Sequence, residues 1–400
     1  MKKLYTILCG LLLGAGAANA QCPAGRYTTE LFPTVSLDSV VYSVPYSLKM
    51  DIYQPVGDAL PARPLIILGH GGSFIEGTRS SDVTVDSLCV RFARRGYVTA
   101  SIDYRLTTFA NMVSPDSTVP IDEVAKAMSD GKAAIRYFMK DAATTNTYKI
   151  DTNNIFIGGN SAGAVLYMHV GYLGDISECP PHIATAMAAN GGFEGNSGNA
   201  GYTTKTKAVI DLAGALNMAS FINPSDKPSV NFQGTADNVV PYNCGKPLGG
   251  FCQVKLCGMG VLESAMTSQG VYHMTKIFPG QGHVPWSSNA AMFKTVDSLT
   301  TIFLYNLVCT NVVSVNEINA STEVSVYPNP ADERVTISTG IPMKHIVVQD
   351  ATGRVVASVD GINNSSYEVN TASLARGMYF IKVQFTNDNN TPVVKRLIVE

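Results

Sequence analysis

Apolar positions change period repeatedly along this chain, and the changes mark out its elements. From Asp38 to Tyr53 the pattern alternates, with Val40, Tyr42 and Val44 on one side and Leu48, Met50 and Ile52 following, which predicts an antiparallel pair at a sheet edge. Leu65-Ile66-Ile67-Leu68 then runs uninterrupted after Pro61 and Pro64, as a strand buried on both faces does. Val85, Leu88, Cys89, Phe92 and Ala93 shift to helical spacing, and residues 98–104 return to a strand. Pro120 opens a second helix whose apolar face is Ile121, Val124, Ala125, Met128, Ile135 and Phe138. Ile155-Phe156-Ile157 and the helix after it complete a third strand-helix repeat. Alternation at this spacing predicts right-handed βαβ units in an α/β, doubly wound, mostly parallel sheet. Further strands are expected at 208–211, 230–233 and 274–278, a helix near 261–267, and a closing helix over 290–307.

The two ends read differently. Lys2 and Lys3 precede an apolar stretch from Leu4 to Ala18, and Ala18-Asn19-Ala20 supplies small residues at a peptidase site, so residues 1–20 are expected to be a secretory signal peptide. The apolar run is shorter than the roughly 20 residues a membrane span requires. The large α/β domain is expected over 21–309 and an Asn/Ser/Val-rich linker over 310–325. Beyond it helical periodicity stops, and short β-rich runs at 324–327, 334–337, 345–348, 353–356, 377–383 and 393–399 predict a small β-sandwich over 326–400.

Charge narrows the ligand class. Charged residues make up 15% of the 400, the net charge is −2, and no basic run follows the N-terminus, which argues against nucleic acid and acidic membranes as partners and for a neutral or weakly charged ligand. Of eight cysteines, Cys9 leaves with the leader, and in an exported chain the remaining seven lean towards disulfides. Cys89 differs, because it sits on the buried face of a helix and reads as a core thiol. Cys244, Cys252 and Cys257 are close enough for at least one bridge to clamp an irregular insertion. With no C-x-x-C or His-rich spacing, neither a metal nor another cofactor is expected.

The chemistry centres on Gly159-Asn160-Ser161-Ala162-Gly163, set between an apolar strand and an apolar helix. A sharp strand-to-helix turn brings its first and last residues together, which requires glycines, and exposes the serine at the carboxyl end of the sheet. A serine nucleophile needs a base and an orienting acid after later strands, in the order serine, acid, histidine. Asp237, just past the 230–233 strand, and His283 satisfy that order; Asp226 and Asp211 compete for the first role and His273 for the second. Tetrahedral intermediates also need N–H donors, which Gly71, Gly72 and Ala162 can supply as an oxyanion hole. Ser73 and Phe74, beside that loop, and Trp286, just past His283, are the expected substrate contacts.

As an ordered set, His70-Gly71-Gly72-Ser73-Phe74, Asp103-Tyr104-Arg105-Leu106, Gly159 to Ala164, Gly234-Thr235-Ala236-Asp237 with Val240-Pro241, and Gly282-His283 resemble the α/β-hydrolases of the carboxylesterase/lipase superfamily. The resemblance covers residues 35–307 and implies a serine esterase. His-Gly-Gly-Ser in place of the commoner His-Gly-Gly-Gly, and the Cys-bearing insertion, depart from the family pattern. Tyr327-Pro328-Asn329-Pro330, Asp350 to Val356, Leu374 to Tyr379 and the ending Val394 to Val399 resemble the C-terminal sorting module of the type IX secretion system of Bacteroidetes-like bacteria. That resemblance implies secretion, with release or attachment at the cell surface, and the secretion machinery as a partner. Acetyl or feruloyl esters of polysaccharides are candidate substrates. A serine peptidase of the prolyl oligopeptidase type would use the same triad but usually carries a propeller, and a silent hydrolase fold serving as a surface-binding protein is the non-enzymatic alternative. For the last domain, the alternative is a sugar-binding sandwich.

Overall fold

All seven residues of β3 (Arg63–Gly69) are buried, as the unbroken apolar run through Leu68 dictates. In this computed structural model, which describes residues 22–23, 25–309, 324–350, 354–386 and 393–399, β3 lies near the middle of an eight-stranded sheet. The other strands are β1 (Val35–Ser43), β2 (Leu48–Pro55), β4 (Val98–Ile102), β5 (Ile150–Asn160), β6 (Ala208–Leu212), β7 (Ser229–Gly234) and β10 (His273–Phe278). Their order is β1-β2-β4-β3-β5-β6-β7-β10. β1, β2 and β4 pair antiparallel, and every pairing from β4 through β3 to β10 is parallel. The expected leader and most of the expected linker lie outside the described residues.

Helices cover both faces. One core joins α1 (Val83–Arg94) and α7 (Ala290–Cys309) to the sheet through Val85, Leu88, Phe92, Phe303 and Leu304, with Cys89 buried among them. The opposite core joins α3 (Thr118–Ala143), α4 (Ala162–Tyr172) and α6 (Met259–Ser268) through Ile135, Phe138, Leu166 and Leu262. Short helices α2 (Phe109–Met112) and α5 (Pro181–Ala189) lie in the connections. The Arg95 guanidinium grips Asp297 with two bonds of 2.6 and 2.7 Å, fastening the end of α1 to α7 inside the protein.

Two disulfides form among the described residues. Cys22 and Cys309 join the start of this unit to the end of α7, with Cα atoms 5.8 Å apart. Cys244 and Cys257 close the insertion, whose edges pair as β8 (Cys244–Gly245) and β9 (Leu256–Cys257). Cys89, Cys179 and Cys252 are free thiols.

Among its described residues the second compact unit is all β: β11 (Val324–Tyr327), β12 (Arg334–Asp350), β13 (Val355–Asn370), β14 (Gly377–Phe385) and β15 (Val393–Val399). The two runs expected at 334–337 and 345–348 belong to one strand, β12, because the pairing with β13 continues across a register shift between Ser338 and Met343. Its core gathers Val335, Ile337, Ile346, Val348, Ile381, Val383 and Leu397. No helix among the described residues is long and apolar enough to cross a membrane.

Candidate active site

Ser161 stands between β5 and α4 with φ 54° and ψ −114°, a left-handed conformation that a non-glycine residue adopts only when its surroundings impose it. Those surroundings are visible. Its N–H donates to the Leu212 carbonyl at 2.8 Å, and a Cβ at Gly159 would lie 2.5 Å from the backbone of Gly163. A Cβ at Gly163 would in turn strike the Gly69 carbonyl at 2.1 Å, so the turn also packs on the end of β3. Glycine is required at both positions by contact, which is why the sequence pattern is legible.

Ser161 Oγ lies 2.7 Å from His283 Nε2, and His283 Nδ1 lies 2.7 Å from Asp237 Oδ2. A carboxylate can only accept, so Nδ1 carries the proton and Nε2 is left to accept from the serine hydroxyl. The other Asp237 oxygen accepts the N–H groups of Val239 and Val240, both at 2.9 Å, and the carboxylate is fully enclosed. The loops carrying acid and histidine are bonded to each other: Ala236 N–H donates to the Gln281 carbonyl at 2.9 Å.

The competing residues lie elsewhere. His273 begins β10 and points Nδ1 at the Val271 carbonyl, 2.8 Å away. Asp211 is buried within β6, where it accepts the Gly214 N–H, and Asp226 accepts the Asn223 N–H in a turn.

Beside Ser161, the His70–Phe74 loop is held by its own bonds. The His70 carbonyl accepts from Gly163 N–H at 3.0 Å and from the Tyr104 hydroxyl at 2.8 Å, while the His70 ring stacks on Tyr104. Burial pushes the His70 imidazole below its ordinary pKa. Two expectations change here. Gly71 N–H is not free for an oxyanion, because it donates to Asp82 Oδ2 at 2.8 Å. Gly72 N–H and Ala162 N–H have no partner among the described residues and remain available. Trp286 does not contact the cleft: its ring is 2% exposed, packs against Phe232 and Phe278, and donates its indole N–H to Asn160 Oδ1 at 3.2 Å.

Ser73 and Phe74 do line a cleft that also reaches Ser161 and Ala162. Its walls are mostly apolar, with Met112 from α2, Val124 and Met128 from α3, Met187 from α5, and Leu248 and Leu256 from the insertion. His169 also lines it, where Nε2 accepts Asn217 N–H at 3.1 Å, so its other nitrogen, facing the Val165 carbonyl, is the protonated one. Neither His169 nor the Met positions announced themselves in the sequence, where each reads as the apolar side of a helix. Among the described residues, no group of three or more His, Cys, Asp or Glu side chains could hold a metal ion.

Both units have relatives among known proteins. Residues 50–223 match the family described as BD-FAE. A probable carboxylesterase 3 of Arabidopsis thaliana is 26% identical over 161 residues, 39% of this chain and 47% of that protein, so the match spans about half the length of the relative. Esterase 2 of Thermogutta terrifontis, in a structure phosphorylated by paraoxon, superposes with a TM-score of 0.51 at 22% identity, covering 70% of this chain and 97% of that one. The first unit has the α/β-hydrolase fold. A butyrate-bound structure of the same Thermogutta enzyme covers 71% of the hydrolase chain and 97% of its own, with a TM-score of 0.50 and 21% identity. Residues 325–400 match the secretion system C-terminal sorting domain, which addresses the hydrolase for export and cell-surface attachment.

Proposed function

We propose that this chain is an exported serine carboxylic-ester hydrolase working through an acyl-enzyme on Ser161. The observation that carries the reading is the continuous hydrogen-bonded series from Ser161 through His283 to Asp237, two bonds of 2.7 Å each. In the first step His283 Nε2 takes the hydroxyl proton as Oγ attacks the acyl carbon, and Asp237 stabilises the imidazolium that results. The same proton passes to the departing alkoxide. Water, deprotonated by His283, then attacks the acyl-enzyme and Ser161 recovers its proton. Gly72 and Ala162 N–H groups face the developing oxyanion, each contributing on the order of a hundredfold to a thousandfold in rate.

The cleft supports an apolar acyl group. Between acetyl and feruloyl esters of polysaccharides, its Met- and Leu-lined walls favour the aromatic acyl group, since acetyl would leave most of the apolar lining wet. The sorting domain supports the type IX secretion machinery as partner. The test is fluorophosphonate labelling of Ser161 together with a panel of nitrophenyl esters of increasing chain length, alongside acetylated and feruloylated xylan. A wild-type chain that neither labels nor turns over any ester would leave a silent binding scaffold as the better reading.

A further inference from the structure

Asp82 precedes α1 and has no place in the triad, yet it accepts four hydrogen bonds from three separate segments. Its Oδ1 caps α1, taking Thr84 N–H at 3.0 Å and Val85 N–H at 3.2 Å. Its Oδ2 takes Gly71 N–H at 2.8 Å, from the oxyanion loop, and Asn160 Nδ2 at 2.9 Å, from the residue before the nucleophile. Asn160 passes the connection on, since its Oδ1 accepts the indole N–H of Trp286, three residues beyond His283. A second tie runs parallel: Thr84 Oγ1 and Ser287 Oγ are 3.0 Å apart. The loop carrying the oxyanion donors and the turn carrying the nucleophile thus meet at one half-buried carboxylate, and the loop carrying the base joins them one step away through Asn160 and Thr84.

We propose that Asp82 is a positioning residue that sets the oxyanion loop against the nucleophile turn. The inference rests on the esterase reading above. By taking the Gly71 N–H, Asp82 holds the His70–Gly71 peptide, whose carbonyl accepts from Gly163 and Tyr104, and so places the next amide, Gly72 N–H, beside Ala162 N–H as the donor for the reacting carbonyl oxygen. Packing at Gly71 is close, since a Cβ there would lie 3.2 Å from Asp82 Oδ2 and 3.5 Å from Ser161 Cβ, so the carboxylate and the nucleophile bracket it. Asparagine cannot replace aspartate, since N–H donors approach both oxygens and an amide would turn its own N–H groups towards one pair of them.

Serine separates the two roles of Asp82: it is a good helix cap, but its hydroxyl is too short to reach Gly71 and Asn160 as well. Asp82→Ser in the full chain should therefore keep a melting temperature within a few degrees of wild type while kcat falls roughly a hundredfold and KM stays within about threefold. Affinity for an aryl trifluoromethyl ketone, which builds an oxyanion on Ser161, should fall in parallel with kcat/KM, a readout that a merely structural cap would not move. Asp82→Asn should lose kcat similarly. Should Asp82→Ser fail to fold, Asn160→Ala leaves the cap and the Gly71 bond intact and should still lower kcat about tenfold. Turnover and ketone affinity within about threefold of wild type in the folded variants would overturn the inference while leaving the esterase reading standing. A wild-type chain without labelling or turnover would take down both.

Discussion

Asp211 carries a cost that pH should expose. Its carboxyl lies fully inside the sheet, with Oδ1 accepting Gly214 N–H at 2.7 Å and Oδ2 without a partner among the described residues. Burial therefore disfavours the ionised form and lifts the pKa from 3.8 to about 7. The folded chain binds this proton more tightly than the unfolded chain. Its contribution is most favourable below pH 3.8, is lost as pH rises, and levels off above about 7. The span corresponds to roughly 4 kcal/mol at most. Asp211→Asn keeps the acceptor for Gly214 and removes the titration, but it buries an amide N–H₂ where Oδ2 has no partner, which costs about 1–3 kcal/mol. The absolute gain at pH 8 should therefore be modest. The stability difference between variant and wild type should instead swing by several kcal/mol in favour of the variant between pH 4 and pH 8. Urea unfolding read by Trp286 suits this measurement, because it is the chain's single tryptophan and is buried in the hydrolase unit, so the sorting domain is silent. A difference that stays flat to within about 1 kcal/mol across that range would refute the reasoning.

Other perturbations sort the site from the scaffold. Ser161→Ala and His283→Ala should each lower turnover by roughly four to six orders of magnitude, and Asp237→Asn by about ten-thousandfold, with His273→Ala near wild type on a short-chain nitrophenyl ester. At the oxyanion loop, Gly71→Ala sets a Cβ 3.2 Å from Asp82 Oδ2 and 3.5 Å from Ser161 Cβ, which should shift the loop and depress the rate by about a hundredfold while the chain still folds. Gly72→Ala should disturb the loop itself, visible as a lowered melting temperature, because Gly72 has φ +119° and its Cβ would fall 2.0 Å from the Glu76 carbonyl. Asp297→Ala, which strands the buried Arg95 guanidinium, should destabilise the hydrolase unit by roughly 3–5 kcal/mol in denaturant titration without changing KM. A chain ending at residue 312 should stay soluble and keep its turnover, since the two compact units divide after that residue. Loss of soluble enzyme would place the boundary elsewhere.

What was legible in the sequence was what backbone sterics and burial write directly. Gly159 and Gly163 could be read because contact forbids any other residue there, and Leu65 to Leu68 because both faces of β3 are covered. The two ends of β12 were read as separate strands, since the intervening Ser338 to Met343 carries turn-like residues although pairing continues past it. The roles of Asp82 and Trp286 are hidden from local pattern for a different reason. An aspartate before an apolar helix looks like any N-cap, and a tryptophan just past the histidine looks like a substrate contact. Their value lies in partners 78 and 126 residues away along the chain, which no local pattern encodes. The Gly71 N–H is taken by a nearer residue, Asp82, only 11 positions on, which the fold of the intervening loop brings to it.

The bridge between Cys22 and Cys309 turns the hydrolase unit into a covalent ring, with its two ends held 5.8 Å apart at the Cα atoms. Whatever tension reaches this unit through the sorting domain enters at Cys309 and meets the staple before it meets α7. A pull strong enough to unravel a terminal helix in an open chain is here carried by a sulfur–sulfur bond, so the 287-residue separation between the bridged positions cannot be paid out as slack. A ring also tolerates injury. One proteolytic cut in an exposed loop between those cysteines leaves the fragments joined, and a new pair of ends opened there, with the old ones fused, would give a permuted chain with the same sheet. For a chain addressed to the outside of the cell, where proteases are shared and chaperones are not, that closure amounts to mechanical and proteolytic armour around a site assembled from three loops.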